Sequence, residues 1–112
     1  MEAQRPLIRT MLTAIPLIRD IRPTMTVSAC EAFWLVAQKE GLTVGDYAKQ
    51  AGVAQTTMSR HLQDLGEYDR RHDEGAGLIE SRINPMNRRE RLHYLTAKGR
   101  ALLAAINKRV QQ

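Results

Sequence analysis

Cysteine is almost missing from this chain: Cys30 is the only one in 112 residues. That excludes an intrachain disulfide and any cysteine-cluster metal site. Long hydrophobic runs are missing too. No apolar stretch is long enough to cross a bilayer, and Pro16, Arg19 and Asp20 interrupt the only apolar stretch near the start, so it does not read as a secretory signal. A soluble cytoplasmic protein is expected. Catalytic constellations are likewise absent: there is no nucleophile–base pairing, no Gly-rich phosphate loop and no paired carboxylates. His61, His72 and His93 stand at no ligand spacing. The chain is expected to be no enzyme and to use no cofactor or metal. Proline and glycine are modest in number, four and seven, which fits a globular chain rather than a disordered one.

What is present fits one domain, residues 1–112, long enough to bury a single core. The net charge is +5 with a pI near 9.9, and it is unevenly placed. Up to Gln50 there are six Lys/Arg against five Asp/Glu; from Ala51 onward there are eleven against seven. A basic second half suits a polyanionic partner, most simply nucleic acid.

Hydrophobic spacing divides the chain into elements. From Arg5 to Ile21, the residues Leu7, Ile8, Met11, Leu12, Ile15 and Ile18 form a wide helical stripe. Pro16 removes the hydrogen bond to Leu12, so a kink or two short helices is expected. A second helix is expected from Thr26–Ser28, with Ser28 and Glu31 spaced as a capping box and Gly41 as its stop. "ACEAFWLVA" is apolar nearly all round, as in a buried central helix, with Phe33 and Trp34 read as core. Cys30 near that helix start could be an activated thiol, but its apolar neighbours favour burial. A short third helix spans Val44–Ala51, capped by Thr43 with Asp46 in the first turn. Gly52 breaks it, and Val53 is expected to turn back into the core.

"AGVAQTTMSRHLQDL" then places Met58, Leu62 and Leu65 on one face of a fourth helix. The opposite face carries Gln55, Thr56, Thr57, Ser59, Arg60 and Gln63, which are short or forked hydrogen-bonding side chains. "GEYDRRHDEGAG" reads as an exposed loop or a frayed helix extension. "LIESRI" and "ERLHYL" read as strands joined by the turn "NPMNRR", which makes a hairpin with a basic tip. Thr96 caps a last helix, Ala97 to about Val110, with Leu103, Ile106 and Val110 along one side.

The order defines a fold: mainly α with a small β-hairpin (α+β), a winged helix–turn–helix with flanking N- and C-terminal helices. Residues 1–25 form an N-terminal helical segment suited to dimerisation, 26–95 a DNA-binding core and 96–112 a C-terminal helix. In such a fold the second helix of the pair enters the major groove, where each base pair shows a distinct donor and acceptor pattern. Ala48 and Gly52 are expected to allow close approach of the two helices, with Tyr47, Val53 and Met58 between them.

"LTVGDYAKQAGVAQTTMSRHLQDL" followed by "GLIESRINPMNRRERLHYLTAKGRALL" resembles the multiple-antibiotic-resistance regulator (MarR) family, strongly from Leu42 to Leu103. The resemblance implies a homodimeric transcription factor on pseudo-palindromic duplex DNA, usually a repressor, often released by a small ligand or an oxidant. An effector pocket would lie between the second helix, the recognition helix and the dimerisation helices. Three departures stand out. The 66–77 segment is longer than the family's connection. Asn87 replaces an Asp that the family pairs with the residue at Arg89. The chain stops at Gln112, before a further helix that clasps the family's dimer, so dimerisation is expected to rest on the first segment and the last helix. "SRHL" is also similar to the ArsR family of metal sensors, whose Cys and His/Asp clusters this chain lacks.

Recognition residues are thus expected at Gln55, Thr56, Thr57, Ser59, Arg60 and Gln63. Arg60 is the strongest, because an Arg forking onto guanine is the commonest specific contact; the alternative is a phosphate contact. In the hairpin, Arg82, Arg88, Arg89 and Arg91 suit phosphate or a narrow minor groove. Strand alternation keeps all four from sharing a side, and Arg88 and Arg89 at the tip are preferred. Asn84 helps shape the turn, and Arg89 has an alternative role bonded to Asn87. Two other functions are compatible with these residues: a winged-helix protein-interaction module, favoured by the acidic 66–77 segment, and a nonspecific DNA-binding accessory protein of replication or plasmid maintenance.

Overall fold

The computed structural model describes residues 2–69, 71 and 73–112. His72, one of the three histidines weighed above, lies outside the described residues. A short 3₁₀ turn, Glu2–Gln4, leads into α1 (Arg5–Ile21). Pro6 sits in its first turn, where a missing N–H costs nothing. Pro16 lies inside one continuous helix, not between two short ones. Its lost hydrogen bond is outweighed by tertiary packing: Ala14 and Ile18 are buried in the core, and α1 lies along the last helix.

Helix α2 (Val27–Gln38) is capped by Thr26, whose hydroxyl accepts from the Ala29 amide at 3.0 Å. The expected Ser28–Glu31 box therefore does not form, because Ser28 already lies inside the first turn. Gly41 stands beyond the helix end at Lys39 with φ 82°, and its amide donates to the His93 carbonyl at 2.8 Å. Only one side of α2 is core, through Ala29, Ala32, Phe33 and Val36. Trp34, expected to be core, is 38% exposed, with its ring edge-on to Phe33.

Helix α3 (Val44–Ala51) has a complete capping box between Thr43 and Asp46 and ends on left-handed Gly52. A Cβ at Gly52 would meet nothing, so this glycine serves the positive φ rather than close helix approach. Ala48, Tyr47 and Met58 are buried as expected, but Val53 is 37% exposed. The left-handed turn sends the chain outward before α4 (Gln55–Asp64) begins. Met58, Leu62 and Leu65 anchor α4 in the core.

Strands β1 (Ile79–Asn84) and β2 (Asn87–Leu95) pair antiparallel, Ile79 opposite Leu95 and Arg82 opposite Leu92, with an irregularity between Ile83 and Asn84. The turn is tighter than "NPMNRR" suggests: only Pro85 and Met86 lie between the strands. Leu42 adds a short bridge to His93 on the outer edge of β2, which joins the α2–α3 connection to the hairpin. Glu40 reinforces that joint. Its Oε1 accepts from the Leu95 amide at 2.7 Å and from the Arg100 guanidinium at 2.8 Å, and these donors hold its carboxyl below the usual range.

Helix α5 (Ala97–Val110) is capped by Thr96. Gly99 lies so close to the chain before β1 that a Cβ there would stand 2.3 Å from the Leu78 carbonyl oxygen. Leu102 and Ile106 are buried, with Leu103 and Val110 packed at the core's margin.

Candidate nucleic-acid interface

Helix α4 is built to offer one face. Its apolar residues fall at spacings of four and three and are buried. Gln55, Thr56, Thr57, Ser59, Arg60 and Gln63 are all exposed. Ala54 caps the helix without a side-chain hydrogen bond. The Gln55 amide leans toward α3, where a Cβ on Gly45 would stand 2.8 Å from its Nε2.

The hairpin carries four arginines. By strand alternation, Arg91 shares a side of β2 with His93, while Arg88 and Arg89 lie in the irregular stretch between the Ile83–Arg91 and Asn84–Asn87 pairs. Ser81, Arg91 and His93 line an open groove of about 1080 Å³ together with Ser59 and Gln63 of α4. Arg91 also donates to Ser81 Oγ at 3.3 Å. Arg82 lies on the opposite side with Tyr94. There its guanidinium bonds Glu80 at 2.6 Å and stacks 4.2 Å over the Tyr94 ring.

The turn is organised by two asparagines. The Met86 amide donates to Asn84 Oδ1 at 3.0 Å, and the Arg89 amide donates to Asn87 Oδ1 at 3.2 Å. Asn87 thus holds the backbone of Arg89 rather than its guanidinium, and the Arg89 side chain is exposed.

His93 is buried beneath the groove. Its Nδ1 lies 3.1 Å from the Leu42 carbonyl, and burial pushes its pKa below 6.5. Tyr47, edge-on to it, donates to the Lys39 carbonyl at 2.6 Å. These two rings support the groove floor. Cys30 is half-buried, and burial pushes its thiol pKa up, the reverse of an activated thiolate. It lines a shallow cavity with Met11, Val27 and Trp34 on the outer side of α2.

This architecture, five helices with a two-stranded antiparallel wing, is a winged helix–turn–helix. Solved structures sharing it include RV1404 from Mycobacterium tuberculosis, 20% identical with a TM-score of 0.70 over 98% of this chain and 67% of that one. A MarR family transcription regulator is 28% identical, with a TM-score of 0.63 over 96% of this chain and 65% of that one. The transcriptional repressor CouR, solved on a 23-mer DNA duplex, is 22% identical, with a TM-score of 0.65 over 99% of this chain and 71% of that one. The fold is therefore MarR-like, and the chain spans about two thirds of the length of these proteins. No protein-family model matches the chain, and no curated protein matches it. Among the described residues no helix is long and apolar enough to cross a membrane.

Proposed function

We propose that the protein is a sequence-specific, duplex-DNA-binding transcriptional regulator that acts as a homodimeric repressor. Helix α4 enters the major groove, and the wing lies on the backbone and minor groove. The observation that carries this reading is the exposed polar face of α4 beside a groove shared with Arg91 of the wing. Gln55, Thr56, Thr57, Ser59, Arg60 and Gln63 read bases or hold phosphates. Arg91 supplies the wing contact on the α4 side. Arg88 and Arg89, beside the turn, reach phosphate. Arg82, occupied by Glu80 and Tyr94, stiffens the hairpin while keeping its charge near the backbone, and Asn84 shapes the turn. A phosphate oxygen is the natural acceptor for the uncapped first turn of α4.

Dimerisation is supported by α1. Leu7, Ile8, Met11, Leu12 and Ile15 are exposed along it, Leu12 by 70%. A contiguous apolar stripe of this kind marks a contact surface, and a two-fold dimer would present two copies of α4.

Selection of the purified protein on a random duplex pool, at about physiological salt with competitor DNA, tests the proposal. The expected result is an enriched motif of two inverted half-sites about one helical turn apart. Folded protein that enriches nothing would overturn sequence-specific reading.

A further inference from the structure

The segment after α4 is a built loop, neither a frayed helix nor slack chain. Gly75 donates to the Glu67 carbonyl at 2.9 Å, Gly77 to the Gly66 carbonyl at 2.9 Å and Asp69 to the Asp73 carbonyl at 2.8 Å, with a bridge between Tyr68 and Glu74. Gly75 permits the closure, because a Cβ there would stand 2.2 Å from the Gly66 carbonyl oxygen. The buried Asp69 carboxylate accepts the Arg71 and Asp73 amides at 2.8 and 3.0 Å, and these bonds hold its pKa low. Arg22, at the end of α1, clasps the loop from outside through Asp69 Oδ2 at 3.3 Å and the Glu74 carbonyl at 3.0 Å.

This frame fixes the backbone of two acidic residues, Glu67 and Glu74. Glu67 and Glu74 line the same groove as Ser59, Gln63 and Arg91. Both are exposed, and neither side chain makes an ion pair among the described residues. Among the described residues, the other charged residues along the groove are Glu80, whose carboxylate pairs with Arg82 on the far side of the hairpin, and the cations Arg91 and Lys98. DNA engaged by Ser59 and Gln63 would bring phosphates to this rim. Charges act there over a screening length of about 8 Å at physiological salt.

We propose that Glu67 and Glu74 are an electrostatic brake on duplex binding: two acidic residues at the rim of the recognition groove that oppose the phosphate attraction of Arg91 and Lys98. The inference rests on the reading of α4 and the wing as a DNA interface. Phosphate attraction supplies essentially all nonspecific affinity. The brake therefore shortens residence on every sequence by a similar factor and leaves discrimination to the base contacts of α4. The loop frame uses the backbones of Glu67 and Glu74 and the side chain of Asp69, so neutralising the two glutamates leaves it standing.

The test compares the full chain with its Glu67→Gln/Glu74→Gln variant. Binding to the selected duplex and to a random duplex is measured at about 50 mM and about 300 mM salt. Glu2→Gln/Asp20→Asn is the control, the same charge change made on exposed residues outside the apolar stripe of α1, with sedimentation velocity checking that its self-association equals that of the unmodified chain. The groove variant is expected to bind both duplexes about three- to tenfold more tightly at low salt. The gain should shrink at high salt, while the control changes less than about twofold. Damage to the fold cannot produce tighter binding. Unchanged or weaker binding, or an equal gain in the control, would overturn the brake while leaving the DNA reading intact. Absence of duplex binding by both the unmodified chain and the variant would overturn both.

Discussion

Arg60 and Arg89 divide the proposed contact into reading and positioning. Arg60 projects from α4, so Arg60→Ala should relax preference at one base pair, at a cost of about 1–3 kcal/mol on the selected site. Arg89→Ala, beside the turn of the wing, should weaken all duplexes about equally and reduce the salt slope by about one. Fluorescence anisotropy titrations on matched and mutated sites at several salt concentrations separate the two outcomes. Equal, sequence-blind losses for both would remove Arg60 from base reading. His93 makes a separate prediction. Its folded pKa lies below 6.5 because the ring is buried. An unfolded chain therefore takes up a proton that the folded one resists. The resulting stability is present above pH 6.5 and is lost as pH falls through the folded pKa. Urea midpoints should drop between pH 7.5 and about 5.5, and His93→Gln should flatten that part of the profile. At Gly99 the argument is steric: Gly99→Ala drives a methyl against the Leu78 carbonyl and should cost about 1–3 kcal/mol in urea denaturation.

Elements with local signals were legible in the sequence. Thr43 with Asp46, Gly52 and Thr96 end or start their helices through contacts within a few residues, so α3 and α5 match their expected limits. The face of α4 was legible for the same reason, since helical spacing alone separates Met58, Leu62 and Leu65 from Arg60. Pro16 was misleading because its local cost was plain and the packing of Ala14 and Ile18 was not. The 66–77 loop was the least legible element, since its frame depends on Arg22, which is 47 residues from Asp69. That contact predicts a dynamic effect. In Arg22→Ala the amides of Asp69 and Gly75 should exchange at least about tenfold faster, while those of α4 keep their protection. Hydrogen exchange with peptide-level readout checks it, and unchanged loop protection would show that Arg22 is no clasp.

For the whole molecule, the open question concerns the apolar face of α1. Leu12→Lys, at the most exposed of these positions, should leave the monomer folded and weaken self-association by about tenfold or more, as expected where a charge is buried without a partner at an interface. Sedimentation velocity reads the association, and binding to a single half-site should survive. A variant that dimerises as tightly as the unmodified chain would move the interface away from α1. The sequence by itself determined the element order, the polar face of α4 and the basic wing. Those follow from periodicity, caps and charge, which act over a few neighbouring residues. Only the tertiary structure decided that Arg91 shares the groove with α4, that Trp34 and Val53 are partly exposed, that Arg82 is held by Glu80 and Tyr94, and that an acidic loop is clasped beside the groove. Each of these depends on strand register or on contacts between residues distant in the chain, and such placements are settled by packing rather than by local propensity.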